Sequence, residues 1–102
     1  SKNAIHSDEI VTVYNGIAVA CYNLGDYDAM EKYFEQAIQS AQTERDTLLV
    51  QTIVRRNYAD LLGELGHYDR AINMHKELLQ YYSDEGIYPL GESYCSLSRL
   101  YL

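Results

Sequence analysis

Tryptophan is absent from this chain of 102 residues, proline and phenylalanine occur once each, and glycine occurs 6 times. So few turn-forming residues leave little room for the many tight turns of an all-β fold. Cysteine is nearly as scarce: the 2 present, Cys21 and Cys95, stand in a chain with no Asn-x-Ser/Thr sequon. That is no disulfide framework, and the pair reads as unpaired structural thiols in a reducing compartment. No apolar run reaches the ~18 residues of a membrane span, and the first residues lack the layout of a secretion signal. A cytoplasmic location without membrane contact is therefore expected. Bases are outnumbered, with 8 Lys and Arg against 15 Asp and Glu and a formal net charge of −7. An excess of acid argues against phosphate-backbone binding, so no nucleic-acid partner is expected through this segment. Motifs of catalysis are missing too. There is no glycine-rich phosphate loop, no His-Glu-x-x-His and no Cys-x-x-Cys, and His6, His67 and His75 are scattered. The chain is expected to be no enzyme and to hold neither metal nor cofactor.

What is present is apolar, periodic and repeated. Apolar residues make up 47% of the chain, enough for one domain with a core. The 11 tyrosines suit half-buried positions where one end of the ring stays wet. The segment Leu24-Gly25-Asp26-Tyr27-Asp28 returns as Leu65-Gly66-His67-Tyr68-Asp69, shifted by 41 positions (25 to 66). Fixed-period self-similarity marks a repeat architecture, in which each unit buries its apolar face against a neighbour.

Apolar residues recur at three and four, which predicts helices. Five are expected, over 8–24, 27–43, 47–65, 68–83 and from 89 to the end. Ser7 is expected to cap the first and Asp46 the third, with Gly25 and Gly66 as stops. Pro89 suits a first turn. Short links force neighbouring helices to run antiparallel. Aligned on Gly25 and Gly66, the two hairpins present matching packing positions: Tyr14, Ile17, Ala18 and Cys21 against Arg55, Tyr58, Ala59 and Leu62. After the turn, Tyr27, Met30, Phe34 and Ala37 match Tyr68, Ala71, His75 and Leu78. The small members let helices approach and the large ones fill the space between hairpins. Tyr94, Leu97, Ser98 and Tyr101 repeat the upstream half. The chain thus reads as one domain over 1–102: repeat one at about 11–45, repeat two at about 52–86, and a half repeat at about 89–102.

This pattern resembles the tetratricopeptide repeat, on Tyr14, Ile17, Ala18, Gly25, Tyr27, Phe34 and Ala37 and on Tyr58, Ala59, Leu62, Gly66, Tyr68 and Ala71. The usual repeat has about 34 residues. The longer period here is similar to the variety in spindle-orientation scaffold proteins and in bacterial regulators that sense a signalling peptide. Arg55, Met30 and Leu78 depart from the usual pattern. The resemblance implies an all-α solenoid of antiparallel hairpins, here two and a half repeats, whose first helices line a concave groove that binds a protein or peptide segment.

Helical geometry selects the groove candidates: Asn15 and Tyr22 on the first helix, Arg56, Asn57 and Asp60 on the third, and Arg99 on the fifth. An Asn amide donates and accepts at once and can read one peptide unit, so Asn57 leads, with Asn15 in a similar role. Arg56 and Arg99 can pair with carboxylates. The alternative is that Asn15, Asn57, Arg56 and Arg99 are solvated groove-wall residues paired with Asp60, Glu64 and Glu92. The sites that would form a carboxylate clamp hold Asn15, Glu92 and Ser96, so an acidic chaperone tail is not the expected ligand. The first and last helices also carry apolar faces without an evident cover, through Val13 at one end and Leu97, Leu100 and Tyr101 at the other. Either the segment belongs to a longer array, or it forms a homodimer through these ends. Three readings stay open: a non-catalytic peptide-binding module, a peptide-sensing regulatory domain of a bacterial transcription factor, and a self-association segment with no groove ligand.

Overall fold

A computed structural model of the chain describes residues 6–86, and their regular structure is helical throughout. The elements are α1 (Ser7–Asn23), α2 (Tyr27–Gln39), α3 (Glu44–Leu49), a π-helical turn (Val50–Val54), α4 (Arg55–Glu64) and α5 (Tyr68–Asp84). The half repeat expected over 89–102 lies outside the described residues. The chain forms two compact units, one ending at Val54 and the other beginning at Arg55.

In the first unit α1 packs along α2, α3 meets α1, and the π turn meets α2. The α1–α2 link closes with a specific pattern of hydrogen bonds. Gly25 takes φ 80°, a left-handed conformation that glycine adopts without a Cβ penalty. Its amide donates to the Tyr22 carbonyl (3.0 Å) while the Asp26 amide donates to the Cys21 carbonyl (2.9 Å). These two bonds satisfy the carbonyls that a helix end leaves bare. Asp26 then starts α2, its carboxylate accepting from the Ala29 amide at 3.2 Å. The core of this unit is Val11, Ala18, Met30, Phe34, Ala37, Val50 and Val54, all buried. Ala18 and Ala37 supply the close approach, and Phe34 and Met30 the volume.

Helix starts differ from expectation at two places. Ser7 is the first residue of α1, and the cap position falls to His6, whose side chain makes no capping bond. The Ser7 hydroxyl donates instead to Oδ2 of Asp46, a charge-assisted bond. Asp46 in turn is no cap. Thr43 caps α3, accepting from the Asp46 amide (3.0 Å), while Asp46 Oδ2 accepts from the amides of Thr43 (3.2 Å) and Gln42 (2.9 Å). This reciprocal pairing starts the helix at Glu44. α2 correspondingly ends at Gln39, four positions before the expected 43, with the Ser40 hydroxyl bonded back to the Gln36 carbonyl at 2.7 Å.

The π turn has a reading in the spacing of buried side chains. Asp46, Val50 and Val54 are all buried, at steps of four. In an α-helix of 3.6 residues per turn such a step drifts by about 40°. The wider π winding over Val50–Val54 turns a step of four the other way, so Val54 comes back to the side of Asp46.

The second unit is the α4–α5 hairpin. Its turn repeats the first: Gly66 at φ 88°, with its amide donating to the Gly63 carbonyl (3.1 Å) and the His67 amide to the Leu62 carbonyl (2.9 Å). Tyr58, Ala59, Leu62, Ala71, His75, Leu78 and Tyr82 are buried. The Arg70 guanidinium donates to the Tyr58 hydroxyl at 3.1 Å. Met30 and Leu78, the departures from the usual repeat, are fully buried and fill core. Three expected packing residues are instead exposed, Tyr27 by 45%, Tyr68 by 56% and Ile17 by 37%. Both tyrosines are the first residue of the returning helix, beside the hairpin turn, and their hydroxyls suit water.

Candidate interaction surfaces

On α1, Asn15, Val19 and Tyr22 form one stripe at steps of four and three, and all three are half-buried. The Tyr22 ring meets Tyr27 of α2 at 5.8 Å between centroids, tilted by 48°. About two turns away Tyr14 stacks on Tyr33 at 6.1 Å, and the Lys32 ammonium lies 5.9 Å from the Tyr33 ring centre. The aromatic residues thus fix the flank of the stripe that holds Asn15, a residue that itself interacts with a neighbour.

On α4, Arg56 and Asp60 share a face as an i, i+4 pair, and Asn57 lies about 100° round from Arg56. All three are half-buried and engaged with neighbouring groups. The opposite face of the helix is the fully enclosed Tyr58, Ala59 and Leu62. Asp60 is tied to the partner helix, with its Oδ1 3.1 Å from Nε2 of the buried His75. Arg55 stands where such repeats usually place an apolar residue, and its guanidinium reaches to 3.8 Å of Glu77. Both of those side chains are partly exposed, so the pair contributes little to stability.

Each unit therefore brings together its own share of the expected groove residues: Asn15 with Tyr22 in one, Arg56 with Asn57 and Asp60 in the other. Arg99, Leu97, Leu100 and Tyr101 lie outside the described residues. Val13 is 58% exposed. Cys21 is an unpaired, half-buried thiol. Asp46 and Tyr81 depart from their ordinary acidity. The Ser7 hydroxyl, with the Gln42 and Thr43 amides, holds the Asp46 carboxyl below its usual 3.8 against the opposing effect of burial. Burial, and then the Glu85 carboxylate, raises the Tyr81 hydroxyl above its usual 10.0.

Sequence reasoning missed two features. One is Asp46 as a buried hub, which the spacing Thr43-x-x-Asp46 signals as a capping box. The other is the extent of the exposed apolar face around Val13, legible in the steps from Val13 to Ile17, Ala20 and Leu24. Among the described residues no group of His, Cys, Asp and Glu is placed to hold a metal ion, and no helix is long and apolar enough to cross a membrane. A tetratricopeptide repeat family model matches residues 9–84. No curated protein and no solved structure gives a significant match.

Proposed function

This chain belongs to the tetratricopeptide repeat family, and from that premise we infer that it is a non-catalytic protein-interaction module that receives a peptide segment of a partner on the polar face of α4. The observation that carries this is the division of α4 into two faces. Tyr58, Ala59 and Leu62 lock one face into the core, while Arg56, Asn57 and Asp60 stand half-buried on the remainder. Polar groups on a rigid, packed helix are held close to a binding geometry before the partner arrives. In this reading the Asn57 amide donates to and accepts from one peptide unit of an extended ligand. The Arg56 guanidinium takes a carboxylate with two parallel bonds. The Asp60 carboxylate, 3.1 Å from Nε2 of His75, accepts from a donor. On α1 Asn15 and Tyr22 provide a second, smaller set. A mixture of both charge signs on α4 suits a mixed-charge segment better than a uniformly acidic one. The unpaired Cys21 and the lack of sequons fit a reducing compartment, so we place the module in the cytoplasm.

The test is selection from a random peptide library on the purified chain, beside an Arg56→Glu/Asn57→Ala double variant whose helicity is checked by circular dichroism. Both residues are half-buried, so the variant should fold. Peptides retained by the parent and lost by the variant support the reading. Equal retention by both would remove α4 as the binding surface.

A further inference from the structure

We draw no further inference here: the strongest candidate, the exposed apolar face of α1 along Val13, Ile17, Ala20 and Leu24, carries nothing because nothing in the structure shows what covers it.

Discussion

Oδ1 of Asp60 lies 3.1 Å from Nε2 of His75, joining α4 to α5 inside the second hairpin. The two partners are unequally placed. His75 is wholly buried, and neither of its ring nitrogens has an aligned hydrogen-bond partner among the described residues. The Asp60 side chain is 38% exposed and can be hydrated. A buried polar group without good partners costs about 1–3 kcal/mol. Replacing it with an apolar side chain of similar size removes that penalty and strands nothing. His75→Leu should therefore hold the unfolding free energy level or raise it by about 1 kcal/mol. Asp60→Ala removes the carboxylate beside Nε2 but no aligned bond, and should lower it by about 1 kcal/mol or less. Urea denaturation of both variants decides. A loss on His75→Leu as large as that on Asp60→Ala would mean that the imidazole contributes favourably after all.

Asp46 gives the first hairpin a dependence on acid. Its carboxylate accepts from the Ser7 hydroxyl and the Gln42 and Thr43 amides, and these bonds favour the ionised form. The folded-state acidity is thus shifted below 3.8, whereas the unfolded chain keeps the ordinary value. The sign follows: the folded state binds this proton less readily, so the contribution is present above the ordinary value and drains away as pH falls through the folded one. Thermal melts should show stability falling from about pH 5 downwards, and Asp46→Asn should flatten part of that fall. At pH 7 Thr43→Ala should cost about 1 kcal/mol as a lost cap, and Asp46→Ala more, since it also releases Ser7 and Gln42. Identical acid profiles for parent and Asp46→Asn would count against this account.

The two turn glycines and the mid-helix glycine should respond in opposite directions to one substitution. At Gly25 and Gly66, φ is 80° and 88°, and a Cβ would touch nothing within 4 Å. The penalty for Ala there is the left-handed backbone alone, about 1–2 kcal/mol each. At Gly16 the backbone is helical and the space equally open, so Ala should add about 0.5–1 kcal/mol to the folded monomer. Chemical denaturation reads all three. A stabilising Gly66→Ala would contradict the turn geometry.

How much was legible in the sequence depends on whether a feature is local. The turns were, because Gly25 and Gly66 each sit at the end of a periodic run and share their flanking residues. The small and large core positions Ala18, Phe34, Ala59 and Leu62 were, because a spacing of three and four identifies a face. Spacing does not tell where the opposing helix stops, so Tyr27 and Tyr68 read as packing residues and are exposed. The start of α3 was misplaced because Thr43 and Asp46 are both good caps, and only the reciprocal bonding between them decides. The link from Asp60 to His75 joins two helices and leaves no trace along one. Of the candidate site, the α4 trio and the Asn15 stripe follow from helical periodicity alone. Their ligand does not, because it depends on chemistry that this chain does not contain.

The contrast between Phe34 and Tyr27 is the sharpest check on the core. Both are aromatic residues of α2, seven positions apart, and both match diagnostic positions of the repeat. Phe34 is fully buried, so Phe34→Ala removes a large side chain from a packed interior and should cost about 3–5 kcal/mol. Tyr27 is 45% exposed and meets the Tyr22 ring at 5.8 Å. Tyr27→Ala loses that ring pair and part of its buried area, about 0.5–1.5 kcal/mol. Alanine is a better helix former than either, which trims both losses by a few tenths and leaves their order unchanged. A domain of this size is stable by about 5–15 kcal/mol, so the Phe34 variant should melt far earlier or fail to fold, while the Tyr27 variant stays near the parent. Melting curves at equal concentration compare them directly. Similar losses at the two positions would mean that Tyr27 is covered in solution, and the same exposed end of the hairpin would then have to be re-examined as a contact surface.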